Sequence, residues 1–208
     1  MLISRGNLKL GILPSFSLPA ITTCPGKTLF CDQFCFGLQG RYKMDNVKRA
    51  NDRRLDATLR DDFVDTIVTE VREVNPPAFR LHTVGDFYTV EYIKKWIDIA
   101  MELPEIIFFG STRSWRCDFM AAILKKFRGM SNVYLKASID LTDPQGHPYC
   151  GWRTWSVEGP GIPCPHDYGL VDNCAACKRC WTVKEFDLSF KLRWGTTAQY
   201  RQYAFVPN

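Results

Sequence analysis

Three cysteines near the start of this 208-residue sequence are spaced so that they could bind a metal cluster. Cys24, Cys31 and Cys35 lie in the stretch TTCPGKTLFCDQFCFG. Three thiolates can hold three irons of a 4Fe–4S cubane and leave the fourth iron open to water or to a small chelating molecule. The spacing predicts an open cluster of this kind. The alternative is a closed structural site, with Cys117 or Cys150 as the fourth ligand.

A second group of cysteines lies near the other end of the chain. The run CAACKRC places Cys174, Cys177 and Cys180 at two-residue gaps, and Cys164 lies ten positions upstream. Three cysteines in one tight run are typical of loops that wrap a cuboidal cluster, whereas a single zinc ion is usually held by two separate Cys-x-x-Cys pairs. The spacing favours a second 4Fe–4S cluster, with zinc as the alternative and His166 as a substitute ligand.

The rest of the sequence favours metal binding over disulfides for these cysteines. The N-terminal stretch MLISRGNLKLGIL lacks the apolar core and cleavage site of a secretory signal, and no run is long enough to span a bilayer. We therefore expect a cytoplasmic protein with no membrane partner, where disulfides are rare and metal sites are common. With 46% apolar residues, the chain is long enough for one well-packed domain.

The elements that must position the first three cysteines follow a repeating strand–helix pattern. Strand signals start at Phe79, Ile106 and Val133, each 27 residues after the one before, and apolar residues with helical spacing separate them. An earlier unit combines the extended segment LKLGILPSFSLP with a helix from Phe63 that the NPP sequence at Asn75 terminates. This pattern predicts an α/β fold with a parallel sheet.

Loops that follow the carboxyl ends of parallel strands meet at one edge of the sheet, where α/β proteins build their sites. Four such loops are expected to converge: the cysteine loop, GDFY from Gly85, GSTRSW from Gly110 and SIDLTD from Ser138. The candidate catalytic residues near this edge are His82, Asp86 and Arg113.

Further polar residues are placed at the same edge. Arg113 and Lys136 are suited to hold a carboxylate or phosphate, or alternatively to pair with an acidic neighbour. Ser138 and Asp140 are candidates to bind a ribose or substrate hydroxyl. His82 has the alternative of being a hydrogen-bonded core residue.

The strand–helix pattern ends after Asp143. The sequence that follows is rich in proline, glycine and cysteine and has no helical period. We therefore divide the chain into a (β/α) core over residues 1–143, which carries the three-cysteine loop, and a cysteine-rich, loop-rich module over residues 144–208 that binds the second cluster. A final strand near FDLSFKLRW is expected to return to the core.

The stretch FSLPAITTCPGKTLFCDQFCFG, followed by RLHTVGDFYTVEYIKKW and by CAACKRCW, resembles the bacteriophage and mobile-element family known as gene product 88. The resemblance extends from Ser15 to Trp181. It implies a fold and a phage setting, with the host cytoplasm as the location, more than it implies an activity.

A three-cysteine loop after a first strand also resembles, more distantly, the loop of radical S-adenosylmethionine (SAM) enzymes. That resemblance implies a partial (β/α) barrel, with Cys24, Cys31 and Cys35 as cluster ligands. It further implies an open iron that binds the amino and carboxylate groups of SAM, whose reductive cleavage yields a 5′-deoxyadenosyl radical. The gaps of six and three residues here differ from the usual three and two.

The same resemblance implies residues that bind SAM. Phe36 matches the aromatic position beside the last cysteine, and Gly85 and Asp86 match a strand end that contacts the SAM amino group. Val84 stands where the first glycine of that strand end is usual. The alternative for Asp86 is to cap the helix that begins near Thr89.

A different class of function also fits the sequence, a non-catalytic nucleic-acid-binding or host-interaction protein. The net charge of +5, the basic segment 41–60 and the aromatic stretch YCGWRTW combine cationic and aromatic side chains, which together bind single strands. In that case the clusters or zinc are structural or redox-sensing. The basic segment also contains aspartates, and its simpler interpretation is a solvated helix face.

Overall fold

The computed structural model describes residues 1–141, 143 and 151–195. Its framework is a sheet of six strands, which are β1 (Ala78–Leu81), β2 (Ile107–Thr112), β3 (Val133–Ile139), β4 (Thr154–Val157), β5 (Ile162–Pro163) and β6 (Leu188–Phe190). Their order is β1-β2-β3-β4-β6-β5, and every pairing is parallel. The prediction of an α/β fold with a parallel sheet is therefore confirmed. The sheet is open and does not close into a barrel.

Seven α-helices accompany the sheet in the described part of the chain. They are α1 (Leu29–Phe34), α2 (Asp45–Thr58), α3 (Phe63–Val74), α4 (Val90–Glu102), α5 (Asp118–Arg128), α6 (Cys174–Cys177) and α7 (Arg179–Thr182). Helix α3 ends as the sequence predicts, because Asn75 adopts a left-handed conformation with φ 46° before two prolines. Within the described ranges, no helix has the length and apolar character needed to cross a bilayer.

The two faces of the sheet are covered by different parts of the chain. One face contributes Phe79, Phe108 and Leu135 to the main hydrophobic core, together with the buried sides of α3, α4 and α5. The other face contributes Phe109 and Trp155 to a second core, which includes Cys164 and against which Cys174 and Cys180 pack. The cysteine-rich segment thus covers the face of the sheet opposite to the helices.

The first extended segment is shorter than the sequence predicts. Residues 7–11 form a turn, because the side chain of Asn7 accepts hydrogen bonds from the backbone of Lys9 and Leu10 at 2.9 and 3.0 Å. Extended backbone begins at Pro14, whose carbonyl accepts from the Arg80 N–H at 3.0 Å, and it runs parallel to β1. The cysteine loop follows this segment.

His82 lies in the main core and not at the edge of the sheet. Its Nε2 is 2.8 Å from the hydroxyl of Tyr92, its ring packs edge-to-face on Phe87, and only 4% of the residue is exposed. Burial, followed by the charge of Arg80, lowers the pKa of His82 to about 3. The structure matches the interpretation of His82 as a hydrogen-bonded core residue, and aromatic rings enclose the side chain that was the candidate catalytic group.

The buried, neutral state of His82 should make the fold sensitive to acid. The unfolded chain takes up a proton on this residue below about pH 6.5, whereas the folded chain does so only near pH 3, so stability falls as pH falls through this window. Between pH 7 and pH 5 the loss from this residue is about 2 kcal/mol. We expect His82→Gln to lose this contribution, as measured by urea unfolding of both chains at the two pH values. The same pH dependence in both chains would contradict a neutral buried His82.

Candidate metal centres

The three cysteines of the first loop are held by a short helix. Cys31 lies within α1 and Cys35 directly follows it, and the Cys35 N–H donates to the Cys31 carbonyl at 3.1 Å, so both thiols lie on the same side of one turn. The rings of Phe30 and Phe34 stack at 5.1 Å and are buried, which fixes the helix on the protein.

The three thiols are close enough to influence one another electrostatically. The pKa of Cys24 is raised to about 12, first by burial and then by the charge of Asp86, with Cys35 and Cys31 adding to the rise. Burial also raises the pKa of Cys35, and Cys31 contributes. The loop therefore brings together three thiols that a cationic metal centre would deprotonate and stabilise.

Two glycines allow the cysteine loop to pack directly on the strand ends. A Cβ at Gly85, where φ is +79°, would lie 2.6 Å from the Cβ of Leu18 and 2.7 Å from the hydroxyl of Thr23. A Cβ at Gly26 would lie 1.9 Å from the carbonyl oxygen of Arg113. The loop is in contact with the GDFY and GSTRSW loops at these points, which is the convergence that the sequence predicts.

Asp86 joins two of the converging loops. Its carboxylate accepts hydrogen bonds from the N–H of Phe87 at 2.7 Å, the hydroxyl of Thr112 at 2.6 Å and the N–H of Arg113 at 2.6 Å. Burial raises its pKa to about 6, and these hydrogen bonds oppose the rise. The proposed capping role is wrong, because the side chain of Thr89 caps α4 instead.

Arg113 pairs with acidic neighbours, which was the alternative to ligand binding. Its Nη2 is 2.7 Å from the Oδ2 of Asp140, and both side chains are almost completely buried. The same oxygen of Asp140 accepts from the hydroxyl of Thr28 at 2.9 Å, and that hydroxyl lies 3.6 Å from the Sγ of Cys31. The Asp140 carboxylate is thus engaged by the protein itself and connects the third strand end to the cysteine loop.

A second acidic residue extends this network. Asp143 lies 3.5 Å from Nη1 of Arg113, pairs with Arg116, and accepts from the N–H of Asp140 at 2.8 Å. Sequence reasoning missed Asp143, Arg116 and Thr28 as parts of the site. The signal was present as two neighbouring motifs, RSWR and DLTD, whose charged residues recur at a spacing of three at consecutive strand ends.

The remaining candidates occupy different positions. Phe36 is 39% exposed beside the cysteine loop, with its ring 5.9 Å from that of Tyr42. Ser138 lies at the edge, where its carbonyl accepts from the indole of Trp115 at 2.9 Å. The prediction for Lys136 is wrong, because its side chain is buried on the cysteine-rich face of the sheet and donates to the Lys184 carbonyl. Burial lowers its pKa to about 8.

The second group of cysteines lines one pocket. Cys164 follows β5, Cys174 and Cys177 belong to α6, Cys180 belongs to α7, and all four border the pocket together with His166. The chain changes direction between α6 and α7 at a left-handed residue with φ 61°. Burial, followed by the charge of Cys174, raises the pKa of Cys180 to about 12, and the other two thiols contribute.

Neither group is arranged around a single ion. Among the described residues, no set of three or more histidine, cysteine, aspartate or glutamate side chains could hold one metal ion. The eight cysteines that the structure describes are free thiols. Cys117 packs against the main core and has Asp86 and Arg116 as electrostatic neighbours, and Cys150 lies outside the described residues.

Comparison with known proteins gives one family. A family model described as Gene product 88 matches residues 1–154. The chain belongs to the Gene product 88 family. Similar relatives are the Gene 88 protein of Mycobacterium phage D29, 27% identical, and that of Mycobacterium phage L5, 29% identical, each aligned over 84% of both chains. No solved structure matches the chain.

The Gene product 88 match includes all four converging loops, the cysteine loop among them. It ends at Thr154, ten residues before Cys164, so the four-cysteine pocket lies beyond the matched region. The family resemblance expected from the sequence is therefore confirmed for the core, although the matched region is shorter at its C-terminal end than the expected span to Trp181.

The buried ion pair between Arg113 and Asp140 should contribute more to the stability of the fold than an exposed ion pair does. Arg113→Met would leave Asp140 buried without its cation, which should lower the free energy of unfolding by about 3 kcal/mol. Arg60→Met is a matched control, because Arg60 pairs with Asp62 in solvent and its loss should lower the free energy of unfolding far less. Urea unfolding of both variants measures the difference, and equal losses would contradict a structural role for the buried pair.

Proposed function

We propose that this chain is an iron–sulfur protein in which Cys24, Cys31 and Cys35 hold a 4Fe–4S cluster with one open iron. The observation that carries the proposal is that the loop with these three cysteines packs on the carboxyl edge of a parallel sheet, with Cys31 and Cys35 one helical turn apart. Cys117, the alternative fourth ligand, is partly buried and packs against the main core. Three protein ligands at a site of this kind leave one iron free to bind a small molecule.

The four-cysteine pocket is proposed to hold a second, auxiliary 4Fe–4S cluster. A zinc ion needs all its thiolates about 2.3 Å from one point. In a cubane each thiolate binds a different iron, so the ligands lie farther apart. Cys164, Cys174, Cys177 and Cys180 share one pocket, and three of them lie in the tight run CAACKRC, which is typical of loops that wrap a cuboidal cluster. This spacing favours a cluster over zinc.

The reaction that suits the first site is the reductive cleavage of SAM, as in radical SAM enzymes. Cys24, Cys31 and Cys35 would hold the cluster, and its open iron would supply chelation of the SAM amino and carboxylate groups and pass on one electron from an external reductant, so that SAM would be cleaved to methionine and a 5′-deoxyadenosyl radical. Support comes from the order of the elements, with the cysteine loop between an extended segment and a strand–helix series that has its helices on one face.

Within this proposal the charged residues of the edge position the site. The carboxylates of Asp86 and Asp140 are already hydrogen-bonded inside the protein, so they hold the loops and the cysteine helix in place. Phe36 is exposed beside the cysteines and is available to cover a bound ligand. Gly85 contributes close packing under the loop. SAM recognition would then depend on the open iron, on Phe36 and on backbone groups.

Metal analysis tests the two clusters. After anaerobic reconstitution we expect about seven to eight irons per chain and a broad absorption near 400 nm. Cys24→Ser and Cys177→Ser should each remove roughly half of the iron, because each breaks a different site. Cys117→Ser is the matched control and should keep all of it. Stoichiometric zinc without iron would overturn the proposal.

A separate assay tests the reaction. The reconstituted, dithionite-reduced chain should convert SAM to methionine and 5′-deoxyadenosine, and Cys31→Ser should lower the rate at least tenfold, since that site would no longer hold its cluster. The absorption or electron paramagnetic resonance (EPR) spectrum should also change when SAM is added. A chain that holds iron but neither cleaves SAM nor changes its spectrum with SAM would refute the enzymatic function alone.

A second candidate is a nucleic-acid-binding protein whose clusters are structural or redox-sensing. The observation in its favour is that α2 and the preceding turn expose basic side chains, including Arg41, Lys43, Lys48, Arg49 and Arg53. Binding of a single-stranded oligonucleotide should then weaken steeply as salt rises. Binding that is absent, or that does not depend on salt, would exclude this candidate.

A further inference from the structure

Arg80 is a half-buried cation on the face of the sheet that the cysteine-rich segment covers, and its Nη1 is fully buried. It belongs to β1, where its backbone pairs with Phe109 of β2. Its guanidinium lies 4.4 Å from the ring centre of Trp155 and 5.6 Å from that of Phe109. The two aromatic faces attract the cation but do not neutralise it.

No acidic residue neutralises Arg80 in the described part of the chain. No ion pair within 4.0 Å joins it to a carboxylate, and its buried Nη1 has no hydrogen-bond partner there. A buried and unpaired charge is strongly unfavourable in a folded protein, because water no longer stabilises it. Two other cations of this region, Lys9 and Lys136, do have oxygen partners, on Asp167 and on the Lys184 carbonyl.

The cysteines of the second site lie in the same core as the rings that contact Arg80. Trp155 and Phe109 belong to the core that includes Cys164, and Cys174 and Cys180 pack against that core. Burial lowers the pKa of Arg80 to about 10, and the thiols of Cys174, Cys180 and Cys164, together with Tyr42, oppose this effect. Arg80 in turn opposes the rise in the pKa of Cys174 and of Cys180.

We propose that Arg80 is the charge partner of the metal cluster at the four-cysteine pocket and stabilises its reduced state. Four thiolates around a 4Fe–4S core give a net negative charge, and one-electron reduction adds a further negative charge without any proton transfer. A fixed cation nearby favours the more negative state and raises the midpoint potential. Arg80 acts through the cluster ligands and is a positioning residue. This inference rests on the proposed cluster at the second site.

The inference explains why a charged side chain is kept in this core. An apolar residue on β1 would pack against Phe109 and Trp155 without the penalty of burying a charge. An anionic cluster in the pocket would offset this penalty, because its attraction to the guanidinium compensates for the hydration that both charges lose. Removing Arg80 should therefore change the midpoint potential of the second cluster more than that of the first cluster.

The experiment is an anaerobic redox titration followed by EPR. The chains are reconstituted in the Cys31→Ser background, so that the signal comes from the second site, and dithionite is the reductant. Arg80→Met should shift the midpoint to more negative potential, so that at the parent midpoint the ratio of reduced to oxidised cluster falls at least tenfold, equivalent to 59 mV for one electron. Arg80→Lys keeps the charge and should restore most of the shift.

Arg53→Met is the matched control, because it removes one exposed positive charge from α2 and should leave the midpoint unchanged. Arg80→Gln also removes the charge and covers the case in which Arg80→Met does not fold. Unchanged potentials in Arg80→Met, or in Arg80→Gln if Arg80→Met is lost, would refute the role of Arg80 while the clusters stand. A parent chain that holds zinc or no metal at the second site would refute both the proposed cluster and the inference.

Discussion

The buried ion pair between Arg113 and Asp140 is the interaction on which the cysteine loop depends. It connects the ends of β2 and β3, and through Thr28 it reaches the start of α1. Helix α1 has six residues and is too short to be stable in isolation. Its geometry must therefore come from outside, from this network and from the stacked rings of Phe30 and Phe34. The contacts from the strand ends therefore determine how the three thiols are spaced.

The two faces of the sheet explain how one small chain accommodates two cysteine sites. Helices α3 to α5 cover one face, and the second face is left for the turn at Asn7 and for the cysteine-rich segment. The backbone N–H of Cys174 donates to the carbonyl of Lys9 at 2.7 Å, so the turn at Asn7 and the cysteine-rich segment are hydrogen-bonded to one another. The first site lies at the carboxyl edge and the second lies against the face, and each is built from different parts of the chain.

The sequence predicts the middle of the fold well because each unit there has a full strand and a full amphipathic helix. The 27-residue repeat gives β1, β2 and β3, and the apolar periodicity gives α3, α4 and α5. The order of the last three strands was not predictable, because β4, β5 and β6 have only two to four residues and carry little periodic signal.

Side-chain roles at the site were harder to infer than loop positions. Alternation along β3 shows that Lys136 and its neighbours point to opposite faces, but not which face meets the helices. Likewise, a carboxylate at a strand end can bind a ligand or hold a loop, and the sequence does not distinguish these roles. In the structure, the Asp86 carboxylate accepts three hydrogen bonds from groups of the two loops. The position of His82 among aromatic rings depends on how the following helix, α4, packs back on the strand and brings Tyr92 and Trp96 to the histidine.

The charges around the two proposed cluster sites differ in sign. Asp86 lies near Cys24, and its negative charge opposes any added electron there, while the charge of Arg113 is balanced by Asp140 and Asp143. At the second site the nearby charges are the cations of Arg80 and Lys136. A negative surrounding lowers a cluster's potential and a positive one raises it. Identical clusters in the two places would therefore make the first site the stronger reductant, which is what reductive bond cleavage requires, and the second site the better electron store.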